Sequence, residues 1–206
     1  KCTKRAVAAA IKYRGIRRLA MQDYHDFLGE VLITSEQLSA RIGELGAEIS
    51  RDYAGKELLV VCILRGGVIF MTDLVRQISV PLAFEFMAVS SYGAGARSSS
   101  GEVRITLDLN TSISGRHVLI VEDIIDSGRT LASVIDLLKT RDPASLYVCT
   151  LLDKSSRREV EVPLRYRGFE IEDKFVFGYG LDMDEFYRNL PFIGVVDLNR
   201  YEAPNG

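Results

Sequence analysis

The chain has 206 residues, 47% hydrophobic and 26% charged, a composition that fits a folded globular protein and excludes a disordered or fibrous one. One core at this length buries about 70% of the surface an unfolded chain exposes, so a single domain needs neither disulfides nor metals to hold it together. Residues 1–22 carry seven basic side chains and no acid, which leaves 19 basic against 28 acidic residues and a net charge of −9 on the rest. Such an acidic body is poorly suited to nucleic acid, whose binding is dominated by phosphate neutralisation.

Three cysteines, with Cys62 and Cys149 inside apolar runs, argue for a reducing compartment, and a cytoplasmic location is expected. The longest apolar run, residues 58–64, is far short of the roughly 20 residues a bilayer span needs, so no membrane contact is expected. His25 and His117 lie in no Cys/His cluster, which argues against structural zinc. The basic leader resembles a transit peptide in being arginine-rich and acid-free, but it is poor in serine. A loosely ordered extension over residues 1–30 is the expectation, with the folded domain over 31–206.

Along the chain, Leu38, Ile42, Leu45 and Ile49 are spaced as the apolar face of a helix over 35–53, and Thr34 with Gln37 fits a capping box. Residues 57–64 read as a buried strand, followed by the tight loop Arg65-Gly66-Gly67 and a helix to Ile78. A strand over 82–89 leads into residues 90–101, with three glycines and five serines, which reads as a mobile lid containing Ser91 and Tyr92. Residues 103–107 form its returning strand. A short buried strand over 117–121 precedes a helix carrying Leu131, Val134, Ile135 and Leu138, ending near Asp142-Pro143; residues 145–152 form another strand. Strands alternating with helices predict an α/β fold with a mostly parallel twisted sheet and ligands at the strands' carboxyl ends. After Arg157 the periodicity weakens, and strand-like pieces at 174–178 and 192–196 suggest a small hood.

The sharpest feature is VLIVEDIIDSGRTL, residues 118–131. A buried strand delivers Glu122 and Asp123, then Asp126, then a turn of Ser127, Gly128, Arg129 and Thr130 that opens a helix. Free backbone N–H groups and the helix dipole make that turn a phosphate site. The carboxylates upstream would repel the same phosphate, so they suit something hydroxylic or cationic beside it, such as the vicinal hydroxyls of a sugar. Neither a Rossmann fingerprint nor a P-loop is present.

This stretch resembles the 5-phosphoribosyl-1-diphosphate (PRPP) motif of the type I phosphoribosyltransferases. Over residues 31–206 the chain is most similar to bacterial hypoxanthine-guanine phosphoribosyltransferases, on LRGGVIFMTDL (64–74), FEFMAVSSYG (84–93), LLDK (151–154) and GFEIEDKFVFGYGLDMDEFYRNLPFIGVV (168–196). The resemblance implies the type I fold with a hood built largely from 157–206 and the N-terminal segment, transfer of the phosphoribosyl group from PRPP to a 6-oxopurine, Mg2+ as cofactor, and a homodimer or homotetramer. It implies that Glu122 and Asp123 hold the ribose hydroxyls, directly or through Mg2+, and that Asp126 faces purine N7 as proton partner. Residues Ser127, Gly128, Arg129 and Thr130 would take the 5′-phosphate. Arg65, Gly66 and Arg188 would take diphosphate, with a cis peptide between Leu64 and Arg65. Lys154 would donate to the 6-oxo group, Phe175 stack on the base, the backbone of Val176 read its exocyclic edge, and Asp182 ligate Mg2+.

Taken singly, several of these have plainer readings: Phe175 as core, Lys154 as a solvated side chain, Asp182 as part of an acidic turn, Arg188 as its ion-pair partner. Two other functions compete, an RNA-binding regulator on the same fold and a PRPP-binding module without activity. The acidic body argues against the first, and the presence of both Asp126 and Asp182 against the second.

Overall fold

The computed structural model describes residues 22–91 and 103–203. Within them the chain starts with one helical turn, α1 (Tyr24–Phe27), that runs straight into β1 (Leu28–Ile33). The expected boundary at residue 30 therefore falls inside a strand: ordered structure begins earlier than the charge pattern suggests. Residues 1–21 lie outside the described residues.

Helix α2 (Ser35–Asp52) begins with the capping box read from the sequence: Gln37 N donates to Thr34 Oγ1 at 3.3 Å and Thr34 N to Gln37 Oε1 at 2.8 Å. Then follow β2 (Leu58–Leu64), α3 (Val68–Gln77), β3 (Leu82–Ser91), β4 (Val103–Leu107), β5 (His117–Ile125), α4 (Arg129–Lys139) and β6 (Ser145–Asp153). A 3-10 turn over Ser155–Arg157 leads to β7 (Leu164–Glu170), β8 (Val176–Phe177) and β9 (Ile193–Val196). Among the described residues no helix is long and apolar enough to cross a membrane.

Six strands form one sheet in the order β4-β3-β2-β5-β6-β7, parallel except for the antiparallel β3–β4 pair. Residue alternation splits β2 between two layers: Leu58, Val60 and Cys62 pack with α2 and α3, and Leu59, Val61 and Ile63 pack with α4. Both faces being covered is the reason the run carries no polar alternation. Each such fully buried aliphatic side chain stabilises the fold by about 1.5–3 kcal/mol. A second sheet, β1-β9-β8, is antiparallel and forms the hood, with Phe27, Phe177, Met183, Leu190 and Val196 as its core.

Three expectations need correction. Strand β5 does not stop at Val121 but continues to Ile125, because β6 keeps pairing with it through Ile125–Asp153. The hood does not take all of residues 157–206, since β7 joins the main sheet beside β6. Helix α4 ends at Lys139, three residues short of Asp142, whose φ of +56° no longer continues a right-handed helix. Of the expected lid, Ser91 closes β3, while Tyr92 and the rest of 92–101 lie outside the described residues.

Candidate active site

The sheet register places the carboxylates. Strand β2 pairs with β5 only as far as Cys62–Val121, so from Glu122 onward β5 has no ladder on that side, and Asp123 comes against the loop after β2. That loop contains the cis peptide between Leu64 and Arg65 expected from the resemblance. Gly66 lies against Asp123 so closely that a Cβ there would stand 1.6 Å from Asp123 Oδ2, so a larger residue would have to push the Asp123 carboxyl aside. Asp123 Oδ1 accepts from Ile124 N at 2.9 Å. Loss of solvent around its carboxyl pushes Asp123 up to about 6, against the pull of that hydrogen bond and of Arg188. The Glu122 carboxyl is pushed well above the usual range, first by burial and then by the Asp123 charge.

Past Ile125 the chain turns. Gly128 adopts φ +82° and caps α4 without a side-chain hydrogen bond. Ser127 O accepts from Glu159 N at 2.9 Å and Val160 N at 3.1 Å, which fixes the turn to the following segment. No acid lies in the first turn of α4. A cavity of about 220 Å³ opens here, lined by Glu122, Asp126, Ser127, Gly128 and Thr130 among others. Backbone N–H groups at a helix start, with the dipole behind them, favour an anion in such a place; here Arg129 N donates to Ser127 Oγ at 3.4 Å. The Arg129 side chain pairs with Glu159.

On the other side, Lys154 N donates to Ile125 O at 3.0 Å and hooks the 3-10 turn over the end of β5. The Lys154 side chain is only 10% exposed, so it is not a solvated one, and its Nζ donates to Asp173 Oδ1 at 3.2 Å. That hydrogen bond, with the charges of Lys154 and Arg157, holds the Asp173 carboxyl below the usual range. Arg157 reaches two acids, Asp126 Oδ1 through Nε at 3.1 Å and Asp173 Oδ2 through Nη1 at 3.2 Å. Phe175 is 51% exposed and so is not core, although Val176 beside it is buried and pairs with Val195 in the hood sheet.

The third wall is the hood loop after β8. Arg188 pairs with Asp182 at 2.8 Å and donates through Nη1 to Gly180 O at 2.8 Å. Glu185 N donates to Asp182 Oδ2 at 2.9 Å, and the Glu185 carboxylate meets Arg65. Asp184, Glu185 and Tyr187 all have φ between +49° and +72°, a region that side chains rarely adopt, so this loop is strained. It packs on the loop after β2: a Cβ on Gly180 would be 2.2 Å from Gly66 O.

Contacts thus join the expected residues of the loop after β2, the end of β5, the turn after β6 and the hood loop after β8, through Gly66–Asp123, Lys154–Ile125 and Gly180–Gly66, while Phe175 and Val176 lie in and beside the hood sheet. Ser91 is described only as the end of β3, and Tyr92 lies outside the described residues. Sequence reading missed Arg157, Asp173 and Glu185. The spacing Lys154–Arg157 was the available signal for the first, since i and i+3 share a side in a 3-10 turn. Nothing local marks the other two.

Comparison with known proteins agrees with this geometry. The family model described as a phosphoribosyl transferase domain matches residues 32–184. The hypoxanthine phosphoribosyltransferase of Haemophilus influenzae is 56% identical over 172 residues, 82% of this chain and 96% of its own. The hypoxanthine-guanine phosphoribosyltransferase of Mycobacterium avium is 52% identical over 185 residues, 87% of this chain and 91% of its own. A crystal structure of a hypoxanthine phosphoribosyltransferase from Staphylococcus aureus superposes with a TM-score of 0.84 at 47% identity, covering 87% of this chain and 97% of that one. With a glycine turn opening a helix after two buried carboxyls, on a sheet of this order and with relatives of this identity, the chain belongs to the phosphoribosyltransferase family, in its hypoxanthine and hypoxanthine-guanine branch.

Proposed function

We propose that the chain transfers the 5-phosphoribosyl group of PRPP to N9 of hypoxanthine or guanine, giving IMP or GMP and diphosphate. One observation supports this above the others: the nearly buried Lys154 is hydrogen-bonded through its backbone N to Ile125 O, at the start of the glycine turn that opens α4, and an exposed Phe175 follows two residues after its partner Asp173. In this reading the N–H groups of residues 127–130 hold the 5′-phosphate. Glu122 and Asp123 hold the ribose hydroxyls. Arg65, the backbone at Gly66, and Arg188 face the diphosphate, whose charge would displace Glu185 and Asp182 from their present pairs. Phe175 stacks on the base, Lys154 donates to its 6-oxo oxygen, and the backbone of Val176 reads the exocyclic edge. Asp126 receives a proton at N7 as the N9–C1′ bond forms and the bond from C1′ to diphosphate oxygen breaks.

Mg2+ fits the donors present. Burial and the Asp123 charge push Glu122 up, and burial and the Asp182 charge push Asp123 up, so a cation held by these carboxyls would relieve repulsion. Among the described residues no three or more His, Cys, Asp and Glu side chains form a ready-made cage. A sparse set of this kind suits Mg2+, which keeps waters and takes substrate oxygens. When bound, it would neutralise charge developing on the leaving diphosphate. A cytoplasmic homodimer or homotetramer that binds neither nucleic acid nor membrane completes the proposal.

The test is a spectrophotometric assay with PRPP and, in turn, hypoxanthine, guanine, xanthine, adenine and uracil, with and without Mg2+. Hypoxanthine, guanine or both should turn over, and adenine should be very poor, because a fixed donor facing a 6-amino group leaves polar atoms unpaired. Equal efficiency with adenine and hypoxanthine would refute the assignment.

A further inference from the structure

We infer that Asp173 and Arg157 are positioning residues that tie the two base-facing groups, Lys154 and Asp126, into one chain of alternating charge and so set the register of the purine. The inference rests on the roles proposed above for Lys154 and Asp126. Its basis is a connected geometry, Asp126–Arg157–Asp173–Lys154, with three contacts of 3.1, 3.2 and 3.2 Å. The backbone prepares it. Arg157 N donates to Lys154 O at 2.9 Å, so the two cations stand three residues apart on a 3-10 turn, where side chains eclipse and point the same way. Both therefore arrive at opposite oxygens of one carboxylate.

Burial separates the two ends of the chain in importance. Lys154 is 10% exposed and Asp173 is the one carboxylate its ammonium meets among the described residues; without that partner a nearly buried cation is left uncompensated and must move. Asp126, Arg157 and Asp173 are each about half exposed, between 47% and 52%. Exposed pairs of this kind add little to stability, so their role is geometric. Arg157 spans from the carboxyl end of β5 to the segment that leads into Phe175, and fixes the distance between the group facing N7 and the group facing the 6-oxo oxygen.

The experiment uses the full-length protein with Asp173→Asn, Arg157→Gln, Arg157→Lys, Lys154→Met and the double variant Asp173→Asn/Lys154→Met, each checked for an unchanged thermal melt. KM and kcat are measured for hypoxanthine and PRPP. Asp173→Asn should raise KM for hypoxanthine about tenfold, the scale of one charge-assisted hydrogen bond, with KM for PRPP unchanged. The double variant should be no worse than Lys154→Met alone, since Asp173 acts through Lys154. Arg157→Gln should raise KM for hypoxanthine and lower kcat several-fold, about threefold each, and Arg157→Lys should recover part of both. An Asp173→Asn enzyme within twofold of wild type for hypoxanthine, or effects that simply add in the double variant, overturns the inference while leaving the site reading intact. A Lys154→Met enzyme with unchanged KM for hypoxanthine overturns both.

Discussion

Replacing Gly128 with alanine tests whether the turn after β5 is shaped for an anion or is only a connector. Gly128 has φ +82°, and a Cβ there would stand 2.6 Å from the Val160 carbonyl oxygen and 3.3 Å from the Arg158 side chain. The left-handed conformation costs an L-residue about 1–2 kcal/mol. Overlap with a backbone atom that hydrogen bonds hold in place costs about 1–3 kcal/mol more. A total of about 2–5 kcal/mol corresponds, for a chain of this size, to a fall in Tm of about 4–20 °C. Gly55 provides the control: its φ is +73° and a Cβ there would meet nothing within 4 Å, so Gly55→Ala carries only the conformational cost and loses about 2–8 °C. Melts followed by circular dichroism give the two shifts, and titration calorimetry gives PRPP affinity at a temperature where both variants are folded. Gly128→Ala should weaken PRPP binding, because relieving the clash moves the N–H groups of residues 127–130, whereas Gly55→Ala should not. Equal Tm losses for the two variants with unchanged PRPP affinity would refute the reasoning.

Asp126→Asn should lower kcat by about 10²-fold or more while PRPP affinity stays within about twofold, since the group acts on a proton as bonds change and asparagine preserves the turn; near-wild-type turnover in steady-state kinetics would remove Asp126 from the chemistry. In a Cys2→Ser background the folded protein should not react with a thiol reagent at pH 8, because burial pushes the Cys62 thiol up to about 12 and raises Cys149 as well, leaving almost no thiolate. Both should titrate in guanidinium, and rapid labelling of the native protein would contradict their burial.

How much of the molecule is legible in the sequence depends on how far each signal reaches along the chain. Helix α2 carries its own cap and its own apolar stripe, so its start is legible to the residue. Strand β5 reads four residues short because Glu122 and Asp123 look like the end of a buried run; their strand conformation comes from the ladder with β6, which no local pattern encodes. Strand β7 escapes a sequence reading for a related reason. Arg165 and Arg167 give it a charged outer face suited to a sheet edge, while Tyr166 between them is buried and bonds Asp52, more than a hundred residues earlier. The same distinction runs through the site. The turn of residues 126–130 is visible as a contiguous motif, whereas the partner of Lys154 lies 19 residues away and is recruited only when the 3-10 turn and the approach to β8 fold against each other.

The hood sheet joins opposite ends of the chain, with Leu28 paired to Val196 and Ile33 to Ile193. During synthesis β1 leaves the ribosome before any strand that can complete it, and it waits through the whole of the main sheet for β9. Such closure of a near chain-length loop comes late and carries the largest entropy cost in the molecule. The turn after β5, by contrast, needs only β5, α4 and the segment through Val160, all finished well before. A nascent chain thus completes the turn of residues 127–130 first and the hood sheet, which includes β8, last. In the roles proposed above, the group that would hold phosphate is therefore in place before the one that would stack on the base.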